Sequence, residues 1–267
     1  MEGARVFDSA TKLDDSARGA VVVCGSHGGM YPAWLAAAAG VRAVVLNDAG
    51  IGKHSAGIAG VAWLDGLGIA ACAVDYRSAR IGDGADTLAH GLVTFANRNA
   101  AEHGCTPGQA CLQVVACLAE HAVASSEPVP GIGESRSRIA NSGHRPAWAL
   151  DSAALVEAGD ARSVVLTGSH GALLGGRKDT LLGVDLFAAF FNDAGGGKDG
   201  AGYARLAPLD ERGIAAGTVS HNTARIGDGR STYETGVISR VNETARRLEL
   251  REGMSARDAV ARLVGLG

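Results

Sequence analysis

Residues 21–28 read VVVCGSHG, and residues 164–171 read VVLTGSHG. Two more stretches recur in the same order: NDAGIGK at 47–53 against NDAGGGK at 192–198, and ARIGDG at both 79–84 and 224–229. The first pair is offset by 143 positions and the other two by 145. From Asn47 to Gly84, 23 of 38 positions match the second copy, and Asp8-Ser9-Ala10 recurs as Asp151-Ser152-Ala153. Ordered motifs at nearly constant offset define a tandem duplication. The copies lie near 6–118 and 149–263. This divides the chain into a first α/β repeat (1–118), a joining segment (119–148) and a second α/β repeat (149–267). The joining segment holds Pro128, Pro130, Gly131, Gly133 and Pro146, the composition of a linker or an active-site loop.

Within each copy, short apolar runs alternate with helical stretches. A β-rich run ends in GSHG, and a strand at Arg42–Leu46 or Leu186–Phe191 ends in NDAG. A helix over Ala56–Leu67 or Ala201–Arg212 leads to a strand at Ile69–Val74 or Ile214–Val219, then to ARIGDG. A helix follows from about Thr87 or Thr232. The first copy adds an alanine-rich helix over Ala33–Ala39. Apolar strands alternating with helices predict parallel β-α-β units with both sheet faces covered. The expected fold is a duplicated Rossmann-like or flavodoxin-like α/β unit with pseudo-twofold symmetry. Each copy is too short for a TIM barrel.

Composition agrees. Of the 267 residues, 46% are hydrophobic and 39 are glycine, while aromatics make up only 4%. That apolar share excludes general disorder, and the glycine excess suits many strand-to-helix turns. The net charge of −3 leaves no basic footprint for nucleic acid. The most apolar stretch, 34–46, is interrupted by Arg42 and too short to span a bilayer. With no signal-peptide core and no CxxC pair among five cysteines, a cytoplasmic chain with reduced thiols is expected, neither membrane nor nucleic acid being a partner. A homo-oligomer is left open.

In a parallel sheet, ligands bind beyond the carboxyl ends of the strands, where all three motifs fall. Polar residues kept twice on such turns are the candidate site. Ser26, His27, Asp48 and Asp83, with their twins Ser169, His170, Asp193 and Asp228, are the candidate catalytic groups. His221 joins them from the position held by Tyr76 in the first copy. Asn47, Lys53 and Arg80, with Asn192, Lys198 and Arg225, are the candidate substrate-binding groups, arginine being suited to gripping a carboxylate or phosphate. Each has a structural alternative: Ser26 as a helix cap, His27 bonded to backbone, Asp48 in a capped turn, Arg80 paired with Asp83.

NDAGxGK lacks the first Gly and the final Ser/Thr of a Walker loop, and no GxGxxG follows a strand, so no nucleotide cofactor is indicated. No transition-metal ligand set appears, while Mg²⁺ on Asp48 or Asp83 stays open. Cys24 reads better as a buried thiol than as a nucleophile. The copies also differ: His54 aligns with Asp199, Asp75-Tyr76 with Ser220-His221 and Cys24 with Thr167.

The leading expectation is an enzyme acting on a small anionic metabolite, a carboxylate or amide, with hydrolysis ahead of lyase or isomerase chemistry because Ser, His and Asp recur together. The alternative is a non-catalytic anion-binding or regulatory protein. A third is a scaffold whose repeated motifs serve folding.

Overall fold

A computed structural model describes residues 4–140 and 145–266. The first copy forms one sheet from β1 (Ala4–Phe7), β2 (Val21–His27), β3 (Ala43–Asn47), β4 (Ala70–Val74) and β5 (Val93–Ala96). The strands lie in chain order; the first four are parallel and β5 is antiparallel to β4. The helices are α1 (Met30–Ala38), α2 (Ala59–Leu64), α3 (Gly84–His90), α4 (Arg98–Glu102) and α5 (Cys111–His121).

Side chains alternate across a strand, and this divides the first copy's core in two. Val21, Val23, Val45, Cys72 and Val74 pack against Val114, Val115 and Leu118 of α5. Val22, Cys24, Val44, Leu46 and Ala73 meet Ala33 and Ala36 of α1 and Val61 and Leu64 of α2. The sheet is therefore covered on both faces. Each fully buried leucine contributes about 1.5–3 kcal/mol.

The second copy builds a separate six-stranded sheet. It runs from β6 (Arg136–Ala140) through β7 (Ala147–Leu150), β8 (Val164–His170), β9 (Ala188–Asn192) and β10 (Ala215–Val219) to β11 (Ile238–Val241). Here β7 to β10 are parallel, and the two outer strands are antiparallel. Its helices are α6 (Leu206–Glu211), α7 (Gly229–Thr235), α8 (Glu243–Arg247) and α9 (Ala256–Gly265). The duplicated α/β architecture is thus as expected. Among the described residues no helix is long and apolar enough to cross a membrane.

Two details depart from the pattern read in the sequence. The joining segment supplies β6, an extra edge strand. The helix expected at 201–212 opens as a 3₁₀ stretch, Lys198–Tyr203, before α6. Among the described residues the second copy has no counterpart of α1, the helix read in the first copy alone: where the first reads MYPAWLAAA, the second passes through short 3₁₀ turns at Leu174–Gly176 and Lys178–Thr180. Gly175 and Gly176 sit there at φ 56° and 70°, a backbone that ends a helix.

The copies meet through reciprocal contacts. Lys53 donates its backbone N–H to the His221 carbonyl, and Lys198 donates its own to the Tyr76 carbonyl, each at 2.8 Å. Ala49, Ile81 and Ala56 of the first copy pack with their twins Ala194, Ile226 and Ala201. Matching pairs on both sides are what a pseudo-twofold joint requires.

Candidate functional site

The repeated motifs stand at the carboxyl ends of the strands, but many of their side chains brace turns within a copy or hold the joint between the copies. Asn47 is fully buried. Its Oδ1 accepts from the Ala49 N–H at 2.9 Å and its Nδ2 donates to the Ala79 carbonyl at 3.1 Å. Asn192 repeats both bonds with Ala194 and Ala224. These asparagines tie NDAG to ARIGDG within each copy. The lysines cross to the other copy: Lys198 Nζ meets the Asp86 carboxylate, and Lys53 Nζ donates to the Thr223 carbonyl and the Thr235 hydroxyl. Asp83 and Asp228 cap α3 and α7 through the N–H groups of Asp86 and Ser231.

The second residue of each NDAG behaves differently in the two copies. The Asp48 carboxylate accepts from the N–H groups of Gly50 and Tyr76 and from the Thr94 hydroxyl. Burial outweighs these bonds and pushes its pKa up. Burial acts on Asp193 too, but the His221 ring and N–H and the Gly195 N–H overcome it and hold the carboxyl below its ordinary value. His221 Nδ1 lies 3.0 Å from Asp193 Oδ1. This pair packs over Gly50 beside Tyr76, whose ring centroid is 6.4 Å from that of His221.

His27 and His170 come together across the joint. Nδ1 of His27 accepts from the Gly29 N–H at 3.1 Å, and Nδ1 of His170 from the Ala172 N–H at 3.2 Å. A ring nitrogen that accepts is unprotonated, so each ring carries its proton on Nε2. Burial lowers the His27 pKa to about 4. It drives His170 well below its ordinary value, with help from the charges of Arg205 and His27. Both are neutral donors at pH 7. The Ser26 and Ser169 hydroxyls accept from the backbone N–H of Ala10 and Ala153, at 2.9 Å each. Cys24 is buried beside Ser26, and burial raises its thiol to about 11, which leaves it protonated.

A groove runs over this region as three adjoining cavities of about 260, 70 and 270 Å³. The first is walled by Tyr31, His54, Glu134 and Arg225. The middle one holds His27, His170, Ser26 and Ser169, and shares Tyr31 and Glu134 with the first. The third shares Ser9, Ser152 and His170 with the middle one and reaches Arg205. Glu134 comes from the joining segment. Burial raises its pKa; the Ser152 and Tyr31 hydroxyls act against this and Asp151 reinforces it.

The two ARIGDG arginines have different surroundings. Arg80 faces three carboxylates: Asp83 at 3.3 Å, Asp86 at 2.8 Å and Asp199 at 2.9 Å. Arg225 pairs among the described residues with Asp228 alone, at 2.5 Å. Ser231 stands where the first copy has Asp86, and His54 where the second has Asp199. Arg225 therefore keeps donors turned to the groove, whereas Arg80 is saturated.

Of the candidate residues, the groove gathers Ser26, His27, Ser169, His170, Arg225 and Asp228. Asn47 and Asn192 brace turns within their own copies, Lys53 and Lys198 belong to the joint, and Asp193–His221 stands apart. Tyr31, Glu134 and Arg205 were not singled out in the sequence because each occurs in one copy only; His54 was visible as a mismatch with Asp199. Among the described residues no group of three or more His, Cys, Asp and Glu side chains is placed to hold a metal ion. Comparison with protein-family models, curated proteins and solved structures finds no match to this chain.

Proposed function

We propose that the chain is an enzyme acting on a small carboxylate or amide metabolite in this groove, by hydrolysis. The observation that carries the reading is the contrast between the two arginines. Arg80 is neutralised by internal carboxylates, and Asp199 occupies the place an external one would take. Arg225 shares its cavity wall with His54 instead, so a ligand carboxylate supplies the missing partner through charge-assisted hydrogen bonds.

Glu134 is the group suited to proton transfer, since a raised carboxyl pKa brings it nearer the working range of a general base or acid. The Nε2–H groups of His27 and His170 supply neutral donors for charge developing on a carbonyl oxygen. Among the described residues Ser26 and Ser169 have no base at hydrogen-bond distance, so water is the nucleophile in this scheme. The same lack of an activated serine favours the second reading, a binding protein that holds the anion without turning it over. Five cysteines without a disulfide are in keeping with a reducing compartment such as the cytoplasm.

An unbiased metabolite screen by thermal shift, followed by turnover assays on the hits, tests both readings. Arg225→Ala and His54→Asp should abolish the ligand-induced shift, the second by placing a carboxylate on Arg225. Asp199 has φ 55° and His54 φ 54°, so aspartate already takes this backbone in the other copy. Glu134→Gln should keep binding and lose turnover. Binding unaffected by Arg225→Ala sinks the site, and turnover unaffected by Glu134→Gln sinks the assigned chemistry.

A further inference from the structure

Arg205 is 6% exposed, yet among the described residues it makes no ion pair with a carboxylate. Its Nε donates to the Ala172 carbonyl at 2.8 Å, and its guanidinium carbon lies 5.1 Å from the centre of the Phe191 ring. Burial lowers its pKa only to about 10, so the charge persists at neutral pH. A buried charge without a counter-ion is strongly unfavourable. One carbonyl and one aromatic face compensate it incompletely, and the rest of the guanidinium borders the third cavity of the groove, of about 270 Å³.

The duplication explains how this cavity arose. Position 205 corresponds to Gly60, where an added Cβ would lie closer than 3.0 Å to the Gly29 carbonyl and the Ala33 side chain. Gly60 is small because α1 packs directly on α2. The second copy lacks that helix and has arginine instead of glycine. One change opened a volume and the other put a cation in its wall, with Lys12, Ser152, Thr180 and His170 beside it.

We infer that the Arg205 cavity is an anion subsite, and that it takes the second carboxylate of a dicarboxylate substrate whose first lies against Arg225. This rests on the carboxylate reading of the groove and narrows its substrate class from a monoanion to a dianion. The three cavities share walls in sequence, so the reacting part of such a ligand lies in the middle one, beside Glu134, His27 and His170.

The test uses the full chain, with the straight-chain dicarboxylates from succinate to suberate as probes and acetate as the monoanion reference, read by thermal shift and calorimetric titration. At least one dicarboxylate should bind about tenfold or more tightly than acetate. Arg205→Met, which keeps the packed stem and removes the charge, should erase that advantage and raise the melting temperature of the ligand-free protein. Such a rise is expected when a buried unpaired charge kept for binding is replaced by an apolar side chain. A dicarboxylate advantage that is absent from the wild type, or that survives Arg205→Met, overturns the proposal. So does a lower ligand-free melting temperature in Arg205→Met with the advantage intact. An acetate response that survives Arg225→Ala, while Arg205→Met still removes dicarboxylate binding, discards the Arg225 end of the groove and upholds the subsite at Arg205.

Discussion

Lys198 of the second copy places its ammonium 2.9 and 3.1 Å from the two carboxylate oxygens of Asp86 in the first. The Asp86 side chain is 1% exposed and also holds Arg80 at 2.8 Å. Its burial is offset by these two cations and by the Arg80 N–H, which together keep its carboxyl below the ordinary value. Asp86→Ala strips the carboxylate from both cations at once. It should destabilise the fold by about 2–4 kcal/mol, toward the low side for a buried pair broken at one end because both cations keep contact with water. Lys53→Met removes only hydrogen bonds to Thr223 and Thr235 and should cost about 1 kcal/mol. Urea unfolding of the two variants checks this, and equal losses would refute the assignment of the joint's charge to the Asp86 side.

The buried histidines predict a stability profile with a definite sign. His27 has a pKa of about 4 in the folded chain against 6.5 for an ordinary histidine, so the unfolded chain binds the proton more readily. The stabilisation is complete above pH 6.5 and is lost as pH falls from 6.5 toward 4, by about 3 kcal/mol. His170 acts in the same direction. His27→Gln should flatten the fall in unfolding free energy between pH 7 and pH 5. A slope identical to the wild type would rule out the buried neutral ring.

The first glycine of GSHG is dictated by a crossing of backbones. A Cβ on Gly25 would lie closer than 3.0 Å to backbone atoms of Gly82, Asp83 and Asp8, and one on Gly168 would meet Gly227, Asp228 and Asp151 in the same way. The Gly25 carbonyl accepts from the Gly82 N–H at 2.7 Å and the Gly168 carbonyl from the Gly227 N–H at 2.8 Å. Backbone cannot give way as a flexible side chain can. Gly25→Ala and Gly168→Ala should each lose about 3 kcal/mol or more. Gly66→Ala, with nothing within 4 Å of the added carbon, should stay close to wild type. Thermal melts of the three variants decide it.

The layout of the fold was readable because apolar runs such as VVVC and AVVL bury both faces of a covered sheet, and their glycine-marked ends punctuate the chain. The site was less readable for a physical reason. Several residues kept in both copies serve the duplicated architecture and not the groove: Asn47 and Asn192 tie turns together, and Lys53 and Lys198 clasp opposite halves. A ligand site that exists once has no twin to reveal it. Arg205 stands opposite a glycine, Glu134 comes from the unrepeated segment, and His54 announced itself only by failing to match Asp199. The helix after GSHG was legible only as the alanine-rich run of the first copy, and the cavity its absence leaves in the second depends on where α1 would have packed, which no local pattern carries.

The paired backbone bonds from Lys53 to His221 and from Lys198 to Tyr76 are those of a two-chain assembly written into one chain. In a true homodimer every substitution appears on both sides of the axis, so an arginine cannot be freed for a ligand without loosening its mate. Fusion removes that constraint. One arginine can stay as glue while the acids around its twin are lost, one from each half (His54 for Asp199 and Ser231 for Asp86), and a helix is dropped from the second half alone.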